Sequence, residues 1–212
     1  MLPPINCLRA FELQQKRQAR IVDLRTPSEF GRGHPRGAVS ISYSPKGLSE
    51  RFGLVLPFGT GLIFLLPGAL EIQEIENQLK FDSFSILGTL AGGFPAWRDN
   101  GLPTDLTSDI PIQQLWRFTH GEGGTLIDVR EPMEWETGHI PGAVLISLGD
   151  LERCLVHLPR HGPIAVVCEA GIRSSTAASI LQSNHFPQVS NVTGGTGSYR
   201  RSHLPLQYPR ET

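Results

Sequence analysis

The sequence predicts an α/β protein made of two similar units in tandem, each a small parallel β-sheet flanked by helices. Three observations carry that expectation. The chain repeats itself, Asp23 being matched by Asp128 at an offset of 105 residues in a chain of 212. Within each copy, short continuous apolar runs alternate with helix-like stretches, the pattern of strands buried on both faces of a parallel sheet and joined by helical crossovers. Glycine pairs and glycine–proline turns follow those runs at corresponding places, where parallel sheets carry their loops.

Self-comparison makes the repeat explicit. Ile21-Val22-Asp23-Leu24-Arg25 corresponds to Leu126-Ile127-Asp128-Val129-Arg130, and Glu29-Phe30 to Glu134-Trp135. At the same offset, Gly33-His34-Pro35-Arg36-Gly37-Ala38-Val39 corresponds to Gly138-His139-Ile140-Pro141-Gly142-Ala143-Val144. Further on, Leu62 to Leu66 lies opposite Ile164 to Val167, and Ala91-Gly92-Gly93 opposite Thr193-Gly194-Gly195. In the second copy Leu126 to Val129 reads as a strand, Asp150 to Leu158 as a helix and Ile164 to Val167 as a strand. Ser174 to Asn184 then reads as a helix, and Val189 to Thr193 as a strand that ends at Gly194-Gly195. Asn100 to Pro111 carries the turn residues of a linker, so the boundary falls near Asp105 and divides the chain into 1–105 and 106–212.

Composition narrows the function. A formal net charge of −1 and the absence of a basic run give no reason to expect nucleic acid or a membrane surface. The longest apolar stretch, Leu54 to Leu66, is broken by Pro57, Gly59 and Gly61 and reads as a loop and a buried strand. The first residues have no basic segment leading into an apolar one, so they do not read as a signal peptide. Three widely separated cysteines give no metal-ligand spacing and leave an odd number for pairing, which points to no metal and to a reducing cytoplasm.

The chemistry concentrates at Cys168-Glu169-Ala170-Gly171-Ile172-Arg173-Ser174-Ser175, between the strand Ile164 to Val167 and the helix that follows. A strand-to-helix turn presents backbone N–H groups and the positive end of a helix, which together form an anion cradle. A thiolate there is stabilised, and the thiolate is the reactive form of cysteine. The first copy has Pro67 at this position, followed by Gly68-Ala69-Leu70-Glu71, and proline has no thiol.

The second copy, from about Pro111 to Pro205, resembles a rhodanese domain, with Leu-Ile-Asp-Val-Arg-Glu-Pro at 126–132, Gly-His-Ile-Pro-Gly-Ala at 138–143, Cys168 to Arg173, and Gly194-Gly195. The first copy resembles a rhodanese domain without its active-site loop, though it keeps Asp23-Leu24-Arg25 and Gly92-Gly93-Phe94-Pro95-Ala96-Trp97. An inactive copy before an active one is similar to the tandem rhodanese half of proteins that also carry a metallo-β-lactamase-like persulfide dioxygenase domain. The seven histidines contain no His-x-His-x-Asp-His cluster, so the iron-dependent oxidation is not carried over, although a separate dioxygenase acting upstream is compatible with the resemblance.

The resemblance implies a two-step sulfur transfer without a cofactor. The Cys168 thiolate attacks the outer sulfur of a small anionic donor, thiosulfate or a persulfide, and a thiol or protein acceptor then removes that sulfur. Arg173 is the expected donor-binding cation, because a planar guanidinium meets two oxygens of a sulfonate at once. The loop residues Glu169, Ala170, Gly171, Ile172 and Ser174 supply amides directed at sulfur and donor. Asp128 and Arg130 are supporting residues, expected to make structural hydrogen bonds and an ion pair with a neighbour such as Glu134. Cysteine phosphatases of similar fold need five residues between cysteine and arginine, whereas Cys168 and Arg173 are separated by four. An arsenate reductase or phosphatase-like enzyme is the weaker alternative, and a non-catalytic sulfur-relay or protein-binding module is the opposing class.

Other residues read as structural. His139 is a turn residue rather than a general base, Cys154 a packed helix position, and Arg200-Arg201 a solvated surface. Tyr199 replaces the tryptophan usual in the family and kept as Trp97 in the first copy, which bears on the rim of the pocket. The first copy is expected to be a folded partner that shapes the active face of the second or docks a sulfur acceptor.

Overall fold

The computed structural model describes residues 3–44, 46–57, 59–68, 72–79, 84–115, 118 and 123–209. It divides into two compact units, Met1–Leu106 and Thr107–Thr212. The first contains β1 (Pro4–Ile5), α1 (Cys7–Gln15), β2 (Ala19–Asp23), α2 (Pro27–Arg32), β3 (His34–Pro35), β4 (Val39–Ser40), α3 (Leu48–Val55), β5 (Gly61–Leu65), α4 (Ile72–Glu76), β6 (Ser85–Leu90), α5 (Gly93–Asp99) and β7 (Thr104–Asp105). The second contains β8 (Ser108–Ile110), β9 (Thr125–Asp128), α6 (Pro132–Glu136), β10 (Ala143–Leu145), α7 (Leu151–Cys154), β11 (Ile164–Val167), α8 (Ile172–Ser183), β12 (Val189–Val192) and α9 (Gly195–Arg201).

The sequence repeat is also a repeat of topology. The main sheet of the first unit runs β1-β6-β5-β2-β4, and that of the second, read from its other edge, runs β8-β12-β11-β9-β10. All pairings in both sheets are parallel, as the continuous apolar runs require. β5 and β11 are buried at every position, being central strands covered on both faces. Helix α8 is buried from Ser174 through Leu181, and its Ser, Thr and Ala side chains let its backbone lie close to the sheet. Among the described residues, no helix is long and apolar enough to cross a membrane.

Departures from the sequence expectation occur at element ends and in the linker. The Asp150 to Leu158 region is a 3₁₀ turn, the short α7 and another 3₁₀ turn, stopping where Pro159 disfavours helical backbone at Leu158. Helix α8 begins at Ile172, two residues before the expected start, because Gly171 takes a left-handed N-cap conformation. The turn-rich linker holds two short strands. Thr104–Asp105 pairs antiparallel with His34–Pro35, and Ser108–Ile110 adds an edge strand beside β12. Partners so far away in sequence override local turn preference.

The two copies also share a ring stack. His34 lies on Phe30 with centroids 3.6 Å apart, and His139 on Trp135 at 3.5 Å. Burial holds the His34 imidazole neutral and lowers its pKa from 6.5 to about 4, against the hydrogen bond its Nδ1–H donates to Phe30 O, which partly opposes the shift. The unfolded ring accepts a proton near its ordinary value while the folded ring refuses it. The first unit therefore loses stability as pH falls from 6.5 towards 4, by roughly 3 kcal/mol over that interval. Hydrogen exchange of β2 amides across this range should show the loss, and His34→Gln should flatten it.

Candidate functional site

β9, β11 and β12 are adjacent and parallel, so their carboxyl ends open on the same edge of the sheet. Cys168 directly follows β11 and is buried, 1% exposed. Gly171 N–H donates to its Sγ at 3.1 Å, and Ser174 Oγ lies 3.4 Å from the same sulfur. Gly171, at φ +94°, turns the chain into α8, whose N-terminus follows the thiol. Among the loop amides expected to face sulfur, that of Gly171 is the one seen donating to Sγ. Ala170 and Ile172 are exposed at the rim of the loop.

The glycine pair after β12 decides which way the loop's peptide groups face. Thr196 N–H donates to Cys168 O at 2.8 Å and Gly197 N–H to Glu169 O at 3.0 Å. Both carbonyls are thereby turned towards α9, away from the sulfur. Gly195, at φ +57°, permits this contact, since a Cβ on it would stand 2.1 Å from Cys168 O. Gly195→Ala is expected to cost about 2 kcal/mol or more, from left-handed strain and displacement of the loop. A lowered urea midpoint for the second unit, together with loss of sulfur transfer, is the expected readout.

Charged side chains around the loop are paired. Arg130, 1% exposed, is bound by Asp128 at 2.8 Å and also donates to Gly138 O at 3.0 Å. Asp23, Arg25 and Gly33 O repeat the arrangement in the first unit. Glu134 is not the partner of Asp128 or Arg130. Its carboxylate instead meets Arg173 in two hydrogen bonds, of 2.6 and 2.7 Å, which hold it below the usual carboxylate range. Arg173 is therefore not a free cation awaiting a donor. Glu169 accepts from Thr196 Oγ1 at 2.8 Å and pairs with Arg200. Arg130, Met133, Glu134, Thr137, Glu169 and Arg200 line an open cleft of about 470 Å³. Arg200, expected to be a merely solvated residue, is part of that lining.

A rhodanese-like domain model matches residues 112–202. Over 103 residues the chain is 33% identical to the thiosulfate sulfurtransferase GlpE of Pseudomonas syringae pv. syringae (strain B728a), the match covering 49% of this chain and 92% of that relative. The chain belongs to the rhodanese-like family. It is also 39% identical over 92 residues to the putative sulfur carrier protein YrkF of Bacillus subtilis (strain 168), covering 42% of this chain and half of that relative's length. Among solved structures, a rhodanese-related protein from Thermoplasma volcanium is 27% identical, with a TM-score of 0.45, covering 48% of this chain and 99% of that one. Sulfurtransferase chemistry is the function at family level.

The remaining residues of this rhodanese-like chain each have a place within their own unit. Tyr199 is a core residue whose hydroxyl donates to Pro205 O at 3.2 Å, just as Trp97 Nε1 donates to Pro103 O at 2.8 Å in the first unit. The two aromatics anchor the chain as it leaves the last helix, so the change from Trp to Tyr belongs to packing. His139 is buried in its stack, and burial lowers its pKa. Cys7 lies in the first core, its thiol donating to Ala91 O at 3.4 Å and pushed up in pKa by burial. Cys154 is half-buried at the end of α7. Pro67 and Gly68 follow β5 where the second copy has its loop, whereas Ala69, Leu70 and Glu71 lie outside the described residues. Sequence reading missed Asn191 and Asp109. Asn191 is a buried polar residue in the strand Val189–Val192, which was the available signal.

Proposed function

We propose that the second unit, 106–212, is a sulfurtransferase that carries sulfane sulfur on Cys168, and that the first, 1–105, is a non-catalytic copy. The observation that carries this reading is the Cys168 Sγ held under the Gly171 N–H at the entrance to α8, with the loop carbonyls turned away. An anionic sulfur at that place meets the Gly171 N–H and the dipole of α8 rather than carbonyl oxygens.

In the first step the Cys168 thiolate attacks the outer sulfur of thiosulfate or of a persulfide. A Cys168 S–S bond forms as the donor's own bond to that sulfur breaks, and the electron pair leaves with sulfite or with a thiolate. In the second step an acceptor thiolate attacks the outer sulfur of the Cys168 persulfide, and the pair returns to Sγ. No net electron is gained or lost by the protein. The likeness to a putative sulfur carrier supports a protein thiol as acceptor. Three free thiols suit a reducing compartment such as the cytoplasm. The four-residue gap between Cys168 and Arg173 favours sulfur over phosphate or arsenate, and an aryl phosphate assay should read blank.

An anionic donor must compete with Glu134 for Arg173. Glu134→Gln removes the competing charge, so the KM for thiosulfate should fall about fivefold with kcat little changed, since a partly exposed ion pair of this kind is worth about 1 kcal/mol. A rise in KM would instead mean that Glu134 positions Arg173. The reading as a whole is tested by intact mass after incubation with thiosulfate or glutathione persulfide. The gain of one sulfur atom, removed by cyanide or a thiol, is expected. No gain with either donor would leave a binding module as the function.

A further inference from the structure

Asn191 is 4% exposed, and the transfer steps make no use of it. Its amide is engaged at both ends. Nδ2 donates to Asp109 Oδ1 at 3.0 Å, and Oδ1 accepts the Ser174 hydroxyl at 2.6 Å. The sheet builds this contact, because Asn191 and Asp109 are directly paired positions of the parallel strands β12 and β8. Laterally paired residues project from the same face of a sheet. Ser174, on α8, is buried and stands between Asn191 and the sulfur of Cys168, 3.4 Å away.

The chemistry of the groups gives this chain a direction. A carboxylate only accepts, so Asp109 holds the Nδ2 end of the amide and leaves Oδ1 facing Ser174. An amide oxygen also only accepts, so the single hydroxyl proton of Ser174 is committed to Asn191. Cys168 is then presented with the lone pairs of Oγ. That suits a thiol, whose S–H can donate into them, whereas a thiolate keeps the Gly171 N–H but gains nothing from Oγ until the hydroxyl turns.

We infer that Asp109 and Asn191 are positioning residues that hold Ser174 as an acceptor for the resting Cys168 thiol. Ionisation of Cys168 requires the Ser174 hydroxyl to turn from Asn191 to the sulfur, where it joins the Gly171 N–H as a second donor. The inference rests on the reading of Cys168 as the nucleophile, and it makes a surface carboxylate at the sheet edge a control on that nucleophile. The other charges near the loop are matched in the pairs Asp128–Arg130, Glu134–Arg173 and Glu169–Arg200. Of these, Arg173 is near enough to attract the Cys168 anion. That attraction acts through space and leaves the hydroxyl where Asn191 holds it.

The test is a pH titration of the full chain by thiolate absorbance, taken as the difference from Cys168→Ser. Asp109 is exposed, so its variants are expected to keep the fold, with circular dichroism as the control. Asp109→Ala frees the Asn191 amide to turn and releases the Ser174 hydroxyl. The midpoint should move to lower pH, with roughly three- to tenfold more thiolate at a given pH below it, the scale of one hydrogen bond. Asp109→Asn keeps an acceptor oxygen for Nδ2 without the charge, and should stay within about twofold of the parent chain. In a Ser174→Ala background, Asp109→Ala should have no further effect.

The inference is overturned if Asp109→Ala leaves the midpoint in place, if Asp109→Asn moves it as far as Asp109→Ala, or if the shift survives without Ser174. The last two outcomes would assign the effect to the charge of Asp109 alone. The titration does not depend on sulfur transfer. A chain that forms no persulfide yet shows these shifts would overturn the proposed function and leave the positioning intact.

Discussion

Cys168→Ser is expected to abolish the mass gain on incubation with either donor and to lower sulfur transfer by more than about a thousandfold, the scale for loss of an attacking group. A serine can still accept the Gly171 N–H, so the fold and the loop should survive. Its hydroxyl, however, is not ionised near neutral pH and forms no persulfide. Cys7→Ser and Cys154→Ser are the internal controls, since Cys7 is packed in the first core and Cys154 sits on a separate helix. Both should retain transfer to within a few-fold. Intact mass and cyanide-dependent release from the three variants measure the contrast directly, and transfer by Cys168→Ser at the parental rate would sink the sulfurtransferase reading.

Arg130→Ala is expected to be the most damaging single change to stability in the second unit. It leaves Asp128, which is fully buried, without its ion partner, and a buried charge so stranded costs about 3–5 kcal/mol. For a unit of this size, that is a fall in Tm on the order of 15 °C or more. Replacing both partners, Asp128→Leu with Arg130→Met, removes the charge as well as its mate and should recover much of the loss. Calorimetry of the single and double variants separates the two cases. If the double variant is folded and still transfers sulfur, the pair is a structural support. If it is folded but inactive, Arg130 acts on the donor from its place in the cleft.

Much of this molecule was legible because it is written in contiguous residues. The repeated Asp-x-Arg motif, the Cys168 loop and the apolar runs of β5 and β11 are each contiguous stretches of chain. The repeat needed only comparison of the chain with itself, and the order of strands in the two sheets follows it. Elements such as β3, β7 and β8 were not legible, because a strand of two or three residues is defined by its partner rather than by its own pattern. The same holds for Tyr199, whose role depends on Pro205 packing beside it.

At the site, sequence alone singled out the proposed nucleophile, its place between strand and helix, and its absence from the first copy. A thiol followed by a glycine turn is a local chemical fact, and proline in the matching position excludes it. Only the tertiary structure decided which groups address that thiol. Arg173 is bound by a carboxylate 39 residues away, and Cys168 O by an amide 28 positions on. Ser174 is turned by Asn191, itself held by Asp109 across 82 residues. A chain with many carboxylates and guanidinium groups permits many such pairings, and sheet register with loop closure selects one. The proposed reactive atom is therefore a property of the sequence, and the groups that address it are a property of the fold.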